Sequence, residues 1–288
     1  MLQVFFGALI ISWVPILVKL SGFDPSWSAF WRCALGALFL APLVIGRHRL
    51  GRLSRGEWTF LALGGAFFAV DLFSWHHSIH YVGAGLATIL GNTQVFWLAI
   101  YGALAHKEKL RPAFLAGMGL AFGGLMLMLE LDRIGHPEHQ HYGPGVALGV
   151  LTGFCYAGFV VCLRKSRAEN LRPESSLFWI SGISALFLFF GSLPKGTALP
   201  PEPLGWLWIG MVALGAQVIA WILITRNLPH VPISRAGLIL LCQPALAFFW
   251  GILILGEPWD LVRLAGAVMT LVGIHLGVTG RTGSGKPG

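Results

Sequence analysis

Apolar residues run along this chain in long blocks, apolar on every side, with short polar interruptions. A helix that is hydrophobic all round is buried, either in a large core or in a bilayer. The blocks read as ten helices, over 3–20, 26–45, 57–76, 81–104, 112–131, 144–163, 174–193, 204–225, 232–254 and 260–279. Each approaches the roughly 20 residues needed to cross a hydrocarbon core about 30 Å thick. Breaks such as Gly22-Phe23-Asp24-Pro25 and Leu199-Pro200-Pro201-Glu202-Pro203 separate them. The pattern predicts an all-α integral membrane protein with ten transmembrane helices.

Composition agrees with this reading. Of 288 residues, 56% are apolar and 11% charged, against about 45–50% and about 25% in soluble domains. Such a chain is neither an ordinary soluble enzyme nor a disordered one. The net charge of +8 reflects topology. With the N-terminus inside, 15 of the 20 Lys and Arg fall in inner segments and four, Lys19, Arg133, Lys195 and Arg263, in outer ones. Basic loops stay on the cytoplasmic side, so both termini are expected in the cytoplasm, in a multi-pass plasma (inner) membrane protein. The first block follows Met1-Leu2-Gln3, with no basic start and no small-residue cleavage site, and reads as a retained helix. Cys33, Cys155, Cys162 and Cys242 lie in apolar runs and suggest neither disulfides nor a zinc site.

The chain also matches itself at an offset of 148–149 residues. Ser28–Leu40 and Ser176–Leu188 share seven of thirteen positions. Gln94 pairs with Gln243, Glu108 with Glu257, Leu115-Ala116-Gly117 with Leu264-Ala265-Gly266, and Gly124 with Gly273. Each half holds five spans, an odd number, so the second enters from the opposite side. The expectation is a first five-helix repeat over 1–143, a second, inverted repeat over 144–280, and a cytoplasmic tail over 281–288. Inverted repeats are a recurring device of secondary transporters, whose sites lie at the repeat interface near the midplane.

These residues carry a family resemblance. Tyr81-Val-Gly-Ala-Gly-Leu-Ala87 with Glu108 and Leu115-Ala-Gly117 resembles the EamA-type drug/metabolite transporter (DMT) pattern. So does His230-Val-Pro-Ile-Ser-Arg-Ala236 with Gly256-Glu257-Pro258 and Leu264-Ala-Gly266. Arg32 resembles an arginine common in the second helix of that family, although its repeat counterpart is Ile180. The resemblance covers nearly the whole chain and implies a ten-helix fold and export of small metabolites, often amino acids. The aromatic richness is similar to the YddG-like aromatic amino-acid exporter branch.

Small-residue stripes, Gly83, Ala87 and Gly91 in the fourth helix and Gly145, Gly149, Gly153 and Ala157 in the sixth, predict close helix–helix seams. Pro15 and Pro244 each remove a backbone donor within a span. Such a break is tolerated where protein or a water-filled cavity satisfies the freed carbonyl.

Ionisable groups inside spans are costly and usually functional. Arg32 and Asp71 are the two that fall well inside, at similar depth from the outer boundary. They suit either a structural ion pair or a gate or proton relay. His76 and His77, followed by His80, fall near the end of the third predicted helix and are proton-titrating candidates. The loop His136-Pro-Glu-His139-Gln-His141 is His-rich, but no metal site is predicted. Asn92, Gln94, Gln217 and Gln243, with Trp13, Trp75, Trp97, Tyr101, Tyr156 and Trp221, are the candidate cavity residues. Apolar and aromatic walls with a few placed polar groups are typical of ligand sites, and would suit a zwitterion with an apolar side chain. Gly280-Arg-Thr-Gly-Ser-Gly-Lys286 mimics a phosphate loop but has no following Ser or Thr.

The reading is a secondary transporter, not an enzyme, that exports amino acids, aromatic or hydrophobic ones first. Its partners are the bilayer and a small-molecule substrate, with no cofactor and no nucleic acid. The alternatives are a lipophilic-cation exporter, a nucleotide-sugar carrier, disfavoured by a single intramembrane arginine, and an intramembrane enzyme, disfavoured by the lack of a catalytic constellation.

Overall fold

The computed structural model describes residues 1–45, 53–128, 141–168, 171–195, 199, 202–256 and 259–279. The described residues form helices and connecting turns. In chain order the α-helices are α1 (Leu2–Ile11), α2 (Val14–Ser21), α3 (Pro25–Ile45), α4 (Arg55–Val82), α5 (Ala84–Gly91), α6 (Gln94–His106) and α7 (Pro112–Leu127). They continue as α8 (Tyr142–Ala168), α9 (Pro173–Ser192), α10 (Leu204–Met211), α11 (Trp221–Asn227), α12 (Ile233–Leu240), α13 (Cys242–Leu255) and α14 (Leu261–Thr279). A π-helical stretch, Val212–Ala220, joins α10 to α11.

Among the described residues seven helical stretches are long and apolar enough to cross a membrane. Two shorter apolar ones are Pro112–Leu127 and Leu261–Gly277. The polarity is that of a membrane protein. Leu104, Leu253 and Leu261 are more than 70% exposed, while Arg32, Asp71, His76, Asn92, Gln94, Gln217 and Gln243 are buried. In lipid an outward leucine costs nothing, whereas an outward polar group would lie in hydrocarbon.

Helix breaks fall where the backbone is short of partners. Pro15 lies just after the α1–α2 junction, at Ser12 and Trp13, and Ser12 Oγ donates to the Leu9 carbonyl at 2.7 Å. Pro244 follows the α12–α13 junction at Leu241, whose N–H turns back to the Leu238 carbonyl at 3.1 Å. The α5–α6 break at Asn92 and Thr93 needs no proline. Asn92 Nδ2 donates to the Thr88 carbonyl at 2.7 Å and Thr93 Oγ1 to the Leu90 carbonyl at 2.8 Å. Side chains that bond the preceding turn in this way bend helices.

Two spans differ from expectation in a way that matters. The third runs Arg55–Val82 rather than 57–76. A capping box starts it: Ser54 Oγ accepts from the Glu57 N–H, and the Glu57 carboxylate accepts from the Ser54 N–H. Gly83, at φ 86°, ends it. The polar stretch after Phe73 stays helical because neighbours cover it. Ser78 Oγ donates to the Gly145 carbonyl of α8 at 2.8 Å. Asp71 therefore lies eleven residues before the helix end, about 16 Å along the axis, rather than the five residues the expected end at 76 implied. The sixth span also runs further than expected, to Ala168.

The small-residue stripes meet each other. A Cβ at Gly149 would lie 2.6 Å from Leu90 Cβ, and one at Gly153 would lie 3.0 Å from the Gly91 carbonyl oxygen. Gly91 in turn faces Thr152. Helix α8 thus packs on α5 and, more extensively, on α4. Elsewhere α3 packs on α9, α7 on α14, and α1 on α11 and the π stretch. Helix α5 meets α13, and α6 meets α12. The contact of α7 with α14 is backbone to backbone: a Cβ at Gly117 would lie 2.5 Å from the Gly273 oxygen.

Glu108, singled out by its motif, ties the two halves together. Its carboxylate accepts from the Ile233 N–H at 3.0 Å, the Ser234 N–H at 3.4 Å and Ser234 Oγ at 2.6 Å. A carboxylate from the first half therefore caps α12 of the second, where the free N–H groups and the helix dipole favour an anion.

Candidate functional site

The helix breaks and the polar interior converge on one chamber of about 50 Å³. From the first half it is lined by Ile11 and Pro15 near the α1–α2 break, by Arg32 of α3, by Phe68, Asp71, Leu72 and Trp75 of α4, and by Thr88, Gly91 and Asn92 at the α5–α6 break. The second half supplies Thr152 and Tyr156 of α8, Trp221 of α11 and Gln243 of α13. A single water needs about 10–15 Å³ of such space. The chamber therefore has room for a few waters in this conformation, and a larger guest requires the helices to part.

One wall is aromatic. The Trp221 ring meets Phe159 at 4.7 Å and 78°, and Tyr156 at 5.8 Å and 89°. Phe68 stacks on Phe159 at 4.3 Å. Among the described residues the buried Trp221 indole N–H finds no hydrogen-bond partner. Gln243 Nε2 donates to the Tyr156 hydroxyl at 3.4 Å.

The other wall carries charge. Arg32 Nε donates to Gln217 Oε1 at 3.3 Å, and Gln217 Nε2 donates to Ser181 Oγ at 2.9 Å. Gln217 sits in the π-helical stretch, and its stem occupies the space a Cβ at Gly36 would need. Gly36 is one turn along α3 from Arg32, so Gln217 can lie flat on α3 and reach the guanidinium. Widened π turns often mark functional sites. The guanidinium carbon lies 5.7 Å from the Phe68 ring centre and 5.9 Å from that of Trp75, within cation–π range. Asp71 lines the same chamber. No ion pair within 4.0 Å joins Asp71 to Arg32 among the described residues. The Asp71 backbone carbonyl accepts from Thr152 Oγ1 at 3.2 Å.

The structure thus brings Arg32, Asp71, Trp75, Asn92, Tyr156, Trp221 and Gln243 into one lining. The other sequence candidates lie elsewhere. Trp97 is 41% exposed and packs on Phe154, and Tyr101 packs on His106. Trp13 stacks on Trp250 at 4.4 Å and lines a separate, apolar groove of about 520 Å³ between α1–α2 and α10. Gln94 is buried beside the break, donating to Asn92 Oδ1 at 3.3 Å, and its own oxygen has no partner among the described residues. Gln217 stands behind Arg32 rather than in the lining. His76 is buried, its Nδ1 on Ser28 Oγ and its Nε2 without a partner among the described residues. The His77 Nδ1–H donates to the Phe73 carbonyl at 2.8 Å. Among the described residues no three His, Cys, Asp or Glu side chains gather as a metal site. His136, His139, Glu257 and the 280–286 motif lie outside the described residues.

Phe68, Thr88 and Thr152 line the chamber but were not among the sequence candidates. Thr152 had a signal, a hydroxyl beside the Gly149–Gly153 seam. Phe68 had none among so many phenylalanines.

Comparison with known proteins agrees with this architecture. The model of the EamA-like transporter family matches residues 1–130 and again 143–279. The chain belongs to the EamA-like transporter family. An uncharacterized transporter of Archaeoglobus fulgidus is 23% identical over 270 residues, covering 92% of this chain and 91% of that protein. The threonine/homoserine exporter RhtA of Escherichia coli K12 is 27% identical over 259 residues, covering 86% and 80%. A solved crystal structure superposes with a TM-score of 0.78 at 16% identity over 97% of this chain and 98% of that one, a likeness of fold. The chain is a DMT-superfamily membrane transporter, with relatives that include amino-acid exporters.

Proposed function

We propose that this EamA-like transporter is a secondary exporter of amino acids, those with aromatic or other apolar side chains first. It works by alternating access between two inverted five-helix repeats in a ten-span fold. The observation that carries the reading is the chamber: both halves line it, it sits at interrupted helices, and its walls join aromatic faces to a few polar and charged groups. Two further features support it. The α5–α6 break at Asn92 and the α12–α13 break at Leu241 are 149 residues apart, the repeat offset. Contacts of α5 with α13 and of α6 with α12 are those expected of equivalent helices crossing antiparallel at a two-fold axis. The loop asymmetry in Lys and Arg supports termini on the cytoplasmic side of the plasma membrane.

The test is uptake of labelled tryptophan, phenylalanine, methionine and threonine into proteoliposomes, with and without a pH gradient, beside tetraphenylphosphonium. Saturable amino-acid flux supports the reading, and its dependence on the gradient tells a facilitator from a proton-coupled carrier. Flux of the cation with none of the amino acids overturns it in favour of lipophilic-cation export.

A further inference from the structure

Resting on that reading, we infer that Arg32 and Asp71 form a divided headgroup site for a zwitterion, Arg32 taking the carboxylate and Asp71 the ammonium. Two opposite charges buried in one chamber would ordinarily be expected to collapse onto each other, because an unpaired buried charge is costly. Here they do not. Arg32 is held back from one side by Gln217, itself fixed by Ser181 and seated on Gly36. Phe68 and Trp75 flank the guanidinium. Among the described residues only Nε of Arg32 is spent on a protein partner, so its two terminal nitrogens remain to donate. The Asp71 carboxylate accepts no side-chain hydrogen bond among the described residues, and its helix is tied to α8 through its backbone carbonyl instead.

Among the described residues each charge therefore has a free hydrogen-bonding end, and both residues line the same space. The two charges of an α-amino acid are separated by one carbon, so one headgroup can bridge them and satisfy both. Guanidinium matches a carboxylate in the bidentate manner. The apolar side chain would then lie against the Tyr156 and Trp221 wall. A lone cation or a lone anion would leave one protein charge buried and unmatched, so the arrangement selects for the zwitterion. Substrate and protein charges sum to zero when the site is filled.

Matched substrate triplets test this in wild-type proteoliposomes. One is phenylalanine, phenethylamine and 3-phenylpropionate. The other is methionine, 3-(methylthio)propylamine and 4-(methylthio)butyrate. Each compound competes against labelled phenylalanine or methionine. The amino acid should compete about tenfold or more better than either truncated analogue, the range for losing a hydrogen bond to a charged group. In Asp71→Asn the amine should lose competition and the acid keep or gain it. In Arg32→Gln the reverse should hold, with partial recovery in Arg32→Lys. If phenethylamine or 3-phenylpropionate competes as well as phenylalanine in the wild type, the inference is overturned while amino-acid export stands. Should both variants lose all compounds alike, the residues only support the fold and the inference also fails. A wild type that moves tetraphenylphosphonium and no amino acid overturns the transport reading itself.

Discussion

Gly117 and Gly119 sit two residues apart on α7, yet the same substitution should move stability in opposite directions. A Cβ at Gly117 would lie 2.5 Å from the Gly273 oxygen, 2.5 Å from the Gly277 nitrogen and 2.8 Å from the Gly277 Cα. All three are backbone atoms of α14, which no rotamer change can move aside. Comfortable carbon contacts begin at about 3.5 Å, so α7 and α14 must part by roughly 1 Å. A gap of that size forfeits about a quarter to a half of each dispersion contact along the seam. Overpacking of this kind costs about 1–3 kcal/mol. Alanine recovers about 1 kcal/mol through its helix propensity, so Gly117→Ala should lose up to about 2 kcal/mol net. Among the described residues a Cβ at Gly119 meets nothing within 4 Å. Gly119→Ala therefore keeps the propensity term alone and gains up to about 1 kcal/mol. Each kcal/mol corresponds to roughly 2–4 °C in a domain of somewhat smaller size. Heating purified protein in detergent, then measuring the surviving monodisperse peak by size exclusion, should place Gly117→Ala several degrees below Gly119→Ala. Equal melting of the two variants would refute the backbone-to-backbone seam.

The cap on α12 gives a second prediction. Glu108→Gln should cost up to about 2 kcal/mol by removing the anion from the helix N-terminus, and Glu108→Ala more, because the Ile233 and Ser234 N–H groups lose their acceptor. The same thermal assay reads both. Gly36→Ala should displace Gln217, loosen its hold on Arg32 and raise the KM for amino-acid uptake several-fold, whereas Gly182→Ala, with nothing among the described residues within 4 Å of the new Cβ, should leave uptake unchanged. All four cysteines are buried, so an impermeant maleimide should label the native protein weakly and the denatured protein fully. On that quiet background, Lys107→Cys should label from the cytoplasmic face and Lys19→Cys from the outer face; the opposite pattern would invert the proposed topology.

Much of this architecture is legible in the residues alone. Apolar blocks mark the helices because the bilayer admits no unsatisfied backbone. Pro15 and Pro244 mark breaks because a missing N–H strands a carbonyl. The Gly145–Gly149–Gly153 stripe marks a seam because small residues let backbones approach. Even the candidate pair Arg32 and Asp71 stands out, since a charge inside a span is rare.

Which faces turn inward is another matter. Lipid is as apolar as leucine, so a helix that is apolar all round has no polar side to reveal its orientation. Trp97 and Trp221 both sit near mid-span in the sequence, yet one is 41% exposed and the other 1%. The partner of Arg32 is likewise invisible along the chain. Gln217 lies 185 residues away, and it reaches the guanidinium because a π-helical turn and the absent side chain of Gly36 make room for it. The distance of Asp71 from the end of α4 depended on the helix continuing through a polar stretch that would end a helix exposed to lipid, and neighbours packed in three dimensions supply the cover. Local chemistry sets where the chain is helical, where it breaks and where it packs closely. The separation of two buried charges around one chamber comes from contacts between distant segments, because only those contacts can hold Arg32 away from Asp71.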